Sequence, residues 1–341
     1  MKRVLGFIFT LVIVGLLIWV LKDINFYEVY LLIAQANLFW FILAFLASVG
    51  TFVVWNFRWM YMLKPIIKPE FGFFLNVLLA GSFFNTLTPG AGIGGEPFRA
   101  YFLSEKYKKS KTKVLGYILG DSFFRLATLF VFVFFSVLFV LVYVQISDTL
   151  KYVLEGILVF VILLAILFTF FMLKRLSFNF GAFFRKLHWF RFIKKRFKTS
   201  EDFVKFTSKK IKSFEGIFRK VVKNKKNMLV GFSLSFIFWI FNFLTAYFLF
   251  LSFGFKVNFL SVIIVFTLGN IIGSLSPIPG GIGVVESSMT LLYSAMGVVP
   301  SLALLVAFMQ RIIYYFFSLF LGGGSLIRLR KITNGGKFSL F

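Results

Sequence analysis

Thr86-Leu87-Thr88-Pro89-Gly90-Ala91-Gly92-Ile93-Gly94-Gly95 breaks one apolar stretch, 71 to 102, and Ser274-Leu275-Ser276-Pro277-Ile278-Pro279-Gly280-Gly281-Ile282-Gly283 breaks a second, 259 to 297. Proline removes a backbone donor and glycine is a poor helix former, so no straight helix continues through either run. The rest of the chain says what those helices are immersed in. Stretches near 4–21, 38–63, 115–146, 150–173, 229–252 and 301–327 are apolar with few or no charges, and about 20 such residues cross the roughly 30 Å hydrocarbon layer. They are apolar on every side rather than alternating in short segments, which argues against barrel strands and for helices. The fold class is an all-α membrane protein with about six transmembrane helices and two Pro/Gly-broken segments.

Composition agrees: 60% hydrophobic residues, 54 Phe and a mean hydropathy of +0.92 exclude an ordinary soluble domain. With no Cys, disulfides, thiolate metal sites and thiol catalysis are excluded; the single His, His188, lies in a basic aromatic loop, so neither a metal nor another cofactor is expected. Met1-Lys2-Arg3 followed by Val4 to Leu21 resembles a signal peptide. It is long and lacks a small-residue cleavage site before Lys22, so it is expected to remain as the first span.

The net charge of +26 would suggest nucleic acid in a soluble protein, but here its distribution reports topology. If both broken stretches are re-entrant hairpins and the N-terminus is cytoplasmic, 31 of the 38 basic residues face the cytoplasm, 18 of them within 174–228. Only Lys22, Lys151 and Lys256 stay outside. The first hairpin then dips from the cytoplasm and the second from the outer side. The expected location is the cell membrane, multi-pass, with both termini cytoplasmic and no nucleic-acid partner. Trp19, Trp40, Trp55, Trp59 and Trp189 are expected as interfacial anchors.

The two breaks also match each other. Thr86-Leu87-Thr88-Pro89 aligns with Ser274-Leu275-Ser276-Pro277 at an offset of 188, and Gly-Ile-Gly followed by an acid recurs at Gly92/Glu96 and Gly281/Glu286. Trp55 faces Trp239 at 184 and Arg125 faces Arg311 at 186. This is the pattern of an inverted repeat: repeat 1 over about 38–146, repeat 2 over about 229–327, within a single membrane domain. The basic loop between them, 174–228, contains Phe203, Phe206, Ile211, Phe214, Phe218 and Val221 at near-helical spacing. An amphipathic helix is expected there, lying at the inner headgroups or packed under the spans.

Charges at membrane depth need a partner or a wet cavity. Arg58, Glu96, Arg99, Asp121, Arg125, Glu286 and Arg311 all lie in the repeat units. Asp121 and Arg125, one turn apart, are placed to pair with each other. The breaks expose backbone groups, and the helix starts after Gly95 and Gly283 suit an anionic headgroup. The candidate substrate-binding set is therefore Arg58, Asn85, Pro89, Gly94, Gly95, Glu96, Arg99, Asp121, Arg125, Pro277, Gly280, Gly281, Gly283, Glu286 and Arg311, with no catalytic residue assigned.

On the two motifs, from Asn85 to Arg99 and from Ser276 to Glu286, with Arg125 and Arg311 following, nearly the whole chain resembles the flippase-like, lysylphosphatidylglycerol synthase transmembrane-region family. That family includes the membrane half of the bacterial multiple peptide resistance factor, which moves aminoacylated phosphatidylglycerol between leaflets. Residues 1–341 hold no aminoacyl-transferase or glycosyltransferase domain, so the resemblance implies the membrane part alone and not synthase activity. The function expected is translocation of a lipid or lipid-linked precursor whose anionic headgroup, phospholipid or polyisoprenoid-linked, binds between the hairpins. Two alternatives are an intramembrane lipid-modifying enzyme using Glu96 or Glu286, and a scaffold recruiting a separate synthase through the basic loop. A homo-oligomer is compatible with each.

Overall fold

Packing decides how the broken helices sit among the unbroken ones. The computed structural model describes residues 26–88, 94–143, 148–173, 199–276 and 278–332. The expected first span, Pro89, Pro277, Trp189, His188 and the first part of the basic loop lie outside the described residues. Every element described is a helix: α1 (Phe26–Ala34), α2 (Leu38–Leu63), α3 (Phe71–Leu87), α4 (Gly95–Tyr107), α5 (Lys111–Tyr143), α6 (Asp148–Leu173), α7 (Ser200–Lys223), α8 (Lys225–Ser252), α9 (Phe259–Leu275), α10 (Val284–Ala295), α11 (Pro300–Tyr315), a π-helical stretch Phe316–Leu321 and α12 (Gly322–Ile332).

Helix starts follow their caps. Asn37 Oδ1 accepts the amides of Phe39 and Trp40 at the head of α2, while Asn224 and Asn258 do the same for Asn227 and Leu260 in α8 and α9. Pro300 begins α11, where no amide is needed. Among the described residues four segments are long and apolar enough to cross a membrane: Leu38–Leu63, Lys111–Tyr143, Lys225–Ser252 and Pro300–Lys331. The expected span at 150–173 corresponds to the continuous 26-residue α6.

Lipid gives helices little hydrophobic reason to associate, so close packing through small residues has to supply much of the contact. Gly50 admits the ring of Phe241, Gly231 that of Phe124, and Gly120 a methyl of Val221. α2 and α8 form the central pair and run antiparallel: Trp40 meets Phe248, Trp55 meets Phe238, and Arg58 meets Ser235. α5 lies against α8 in the parallel sense, from Phe124 beside Phe232 to Phe132 beside Phe243. α7 starts at Ser200 and is capped by Thr199, whose Oγ1 accepts the Asp202 amide at 3.1 Å. Its Phe214, Ile217, Phe218 and Val221 pack on α5 around Gly116, Gly120 and Phe123. Lys205, Lys209, Lys212, Lys220 and Lys223 remain exposed.

Each broken stretch folds back on itself. α3 and α4 are antiparallel, with Phe74 beside Tyr107, Gly81 beside Arg99 and Asn85 beside Gly95. α9 and α10 repeat the arrangement, with Gly269 against Met289 and Gly273 against Val285. α12 closes over α3 where Gly322 approaches the Leu79 carbonyl.

Candidate functional site

The end of α3 meets the turn that precedes α10. A Cβ placed on Gly280 would lie 3.2 Å from the Thr86 carbonyl oxygen and 3.6 Å from the Tyr315 hydroxyl. Gly280, Gly281 and Gly283 have φ of 65°, 64° and 83°, values that disfavour any side chain, so the second tip requires glycine at these positions. At the first tip the Gly95 amide donates to Asn85 Oδ1 at 2.5 Å, and a Cβ on Gly95 would run into the Gly81 carbonyl. Asn85 and Gly95 therefore join the two arms of the first break. Gly94 immediately precedes α4 against Thr88.

Three groups of charge surround these tips. In the first, Arg58 donates to Asp121 through Nε at 2.6 Å and Nη2 at 3.2 Å, and to Ser235 Oγ through Nη1 at 3.0 Å. Both charged side chains are 0% exposed. Asp121 is thus paired with Arg58 and not, as its spacing suggested, with Arg125. The i, i+4 geometry lost to a bidentate partner on α2, and the result ties α2, α5 and α8 together.

In the second group, Glu286 is fully engaged. Its Oε1 accepts Arg311 Nε at 3.0 Å, and its Oε2 accepts the Gly283 amide at 2.7 Å, a helix-capping contact. Arg311 Nη2 also donates to the Gly280 carbonyl at 2.6 Å. This set fastens the second tip to α11, just before the π-helical stretch.

The third group is incomplete. Glu96 Oε1 accepts Arg99 Nη2 at 2.8 Å and Ser122 Oγ at 3.2 Å, but the buried Glu96 Oε2 has no partner among the described residues. Neither do the buried Arg99 Nε and Nη1, Arg125 Nε or Trp55 Nε1. Arg125 makes no ion pair among the described residues. Its guanidinium lies 4.9 Å from the ring centre of Trp55, and that of Arg99 lies 5.4 Å from the same ring and 5.5 Å from Trp59. A cation over an indole face gains roughly 0.5–2 kcal/mol, less than full hydration would provide. Across all three groups four Arg oppose three acids, 4 − 3 = +1, and Arg125 is the cation left over.

Trp55 and Trp59 were expected at the interface, yet they are buried beside these arginines. Their sequence signal was Trp55-Asn56-Phe57-Arg58-Trp59, which reads equally as an interfacial belt; only the close approach of α4 and α5 brings cations onto the rings. Ser122 and Ser235 were also missed, since a serine in an apolar run has no distinguishing mark. Pro89 and Pro277 fall outside the described residues.

The class this architecture defines is a polytopic helical membrane protein with two interior helix breaks and a buried, partly unmatched charge cluster. The chain matches the family model described as lysylphosphatidylglycerol synthase TM region over residues 4–322, and it belongs to that family. Its relatives include a "UPF0104 membrane protein" of Methanothermobacter thermautotrophicus, 30% identical over 241 residues, or 70% of each chain. A second, from Pyrococcus horikoshii, is 28% identical over 305 residues, covering 88% of this chain and 90% of the relative. A third, from Methanocaldococcus jannaschii, is 28% identical over 310 residues, covering 85% and 84%.

Proposed function

We propose that the protein translocates a lipid or lipid-linked precursor across the cell membrane by receiving its anionic headgroup between two re-entrant hairpins, α3/α4 and α9/α10. The observation that carries this reading is Arg125. A partly buried cation at membrane depth with its Nε sealed and no acceptor is costly, and here it sits beside three further donors without acceptors among the described residues, Arg99 Nε, Arg99 Nη1 and Trp55 Nε1. A phosphate oxygen would satisfy them together, while the tails stay in lipid.

Arg125 and Arg99 bind the headgroup in this scheme, and Glu96 balances Arg99. Asn85, Gly94 and Gly95 shape the first tip, as Gly280, Gly281 and Gly283 shape the second. Arg58 and Asp121 hold the helices that carry the site. The antiparallel α2 and α8, each followed by a helix pair broken at its tip, support an inverted repeat whose halves rock about the centre. The concentration of basic residues around α7 and α12 supports cytoplasmic ends. The name of the matched family, which refers to a phospholipid, favours phospholipid over polyisoprenoid.

Charge-assisted hydrogen bonds contribute about 1.5–3 kcal/mol each, or roughly 10- to 150-fold in affinity. Binding of short-chain phosphatidylglycerol to the purified protein should weaken by that factor in Arg125→Ala and remain unchanged in Lys223→Ala, on the exposed face of α7. Equal affinity in Arg125→Ala would remove Arg125 from the site and the reading with it.

A further inference from the structure

The two repeats present the same pair of residues in two different states. Glu96 and Glu286 each follow a Gly-Ile-Gly run, and Arg125 and Arg311 each follow in the next long helix. In the second repeat the pair is made, Arg311 Nε on Glu286 Oε1 at 3.0 Å, and the same arginine grips the tip through the Gly280 carbonyl. In the first repeat the equivalent pair is not made. The atoms left without partners are Glu96 Oε2 and Arg125 Nε, the carboxylate oxygen and guanidinium nitrogen that such a pair would join.

Ser122, one turn before Arg125 on α5, donates to Glu96 at 3.2 Å, which brings the Glu96 carboxylate against the helix that carries Arg125. Arg99 holds the other oxygen of Glu96 and leaves Oε2 open. The second repeat carries no counterpart of this extra arginine, since the position three residues after Glu286 is Met289.

We infer that Glu96–Arg125 and Glu286–Arg311 are equivalent latches that close alternately, and that the structure holds the second closed and the first open. Resting on the headgroup reading above, the inference gives the ligand a definite place: on Arg125, its anionic oxygen substitutes for the Glu96 oxygen that closes the latch. Release of the ligand lets Glu96 take Arg125, and because Gly280 lies against Thr86 at the end of α3, this change is coupled to Arg311 letting go of the Gly280 carbonyl. Tyr315, whose hydroxyl is buried beside Gly280 without a partner among the described residues, ends α11, and the π-helical stretch Phe316–Leu321 that follows it is where the helix can change register.

The absence of native cysteine makes a direct test simple. Spin labels at Leu87→Cys with Val131→Cys report the first latch, and labels at Ile282→Cys with Ile312→Cys report the second; all four positions are at least half exposed, at 50–54%. Pulsed dipolar distances in lipid nanodiscs are compared for the otherwise native chain, Glu286→Gln and Glu96→Gln. With Glu286→Gln the second pair should lengthen and the first shorten together, changing the ratio of the two populations by at least about tenfold. Glu96→Gln should leave one population, the one with the second latch closed. Lengthening of the second pair with no response in the first would overturn the coupling, as would distances unmoved in Glu286→Gln. Anti-correlated distances in a protein whose Arg125→Ala variant binds phosphatidylglycerol normally would keep the latches and discard the headgroup reading.

Discussion

Asp121→Ala removes one partner of an ion pair that is sealed from solvent and lipid on both sides. Arg58 then keeps its charge with only Ser235 Oγ, at 3.0 Å, in place of three hydrogen bonds. Leaving such a charge uncompensated costs about 3–5 kcal/mol, a large part of the 5–15 kcal/mol by which folded proteins are typically stable. The unfolding equilibrium constant should shift by roughly two to nearly four orders of magnitude. Reversible unfolding by SDS titration in mixed micelles, followed by tryptophan fluorescence and circular dichroism, measures this. The double variant Arg58→Met, Asp121→Leu removes both charges and fills similar volume, so it should recover most of the loss. An Asp121→Ala protein within about 1 kcal/mol of the native one would show that the pair does not hold α2 and α5 together and that water reaches Arg58.

Gly95→Ala forces a methyl group toward the Gly81 carbonyl and should destabilise by about 1–3 kcal/mol in the same titration, whereas Gly324→Ala, with nothing within 4 Å of its Cβ, should be neutral or slightly stabilising. At Glu70, between α2 and α3, the hydrogen bond from Lys106, at 2.6 Å, is the main cause holding the carboxyl below its ordinary value. That contact therefore contributes fully above the ordinary carboxylate range and is lost as pH falls through the lowered value. Lys106→Met should abolish this part of the acid-side loss of stability, read as the unfolding midpoint from pH 7 to pH 3. The neighbouring Tyr107 hydroxyl, pushed up to about 12 by desolvation and by the Glu70 charge, remains a donor to Glu70 throughout that range.

The breaks were legible because Pro and Gly act locally: whatever packs around Thr88 or Ser276, a proline in the next position stops the helix. Charged residues in apolar runs were legible for an equally general reason, since lipid tolerates so few of them. Partner choice was not. Sequence spacing places Asp121 one turn from Arg125, but a carboxylate accepts two bonds from a guanidinium side-on, and Arg58 arrives in that geometry from α2, 63 residues away. Such a contact depends on where whole helices lie. Trp55 and Trp59 illustrate the same limit, because an indole that anchors at an interface and one that carries two arginines have the same neighbours in sequence. Glu96/Arg125 and Glu286/Arg311 show the opposite case: they are alike in sequence, yet only the second pair is bonded, and Arg99 holds Glu96 where Met289 stands in the second stretch.

Headgroup translocation through the site around Arg125 is tested most directly by leaflet exchange. Fluorescent phosphatidylglycerol reconstituted with the protein in liposomes is quenched from outside, and the protected fraction is followed with time for the native chain, Arg125→Ala and Lys223→Ala. Protein-dependent loss of protection in the native chain and in Lys223→Ala, abolished in Arg125→Ala while its unfolding midpoint stays unchanged, is the expected result. Exchange that proceeds at the native rate in a folded Arg125→Ala protein would contradict the account.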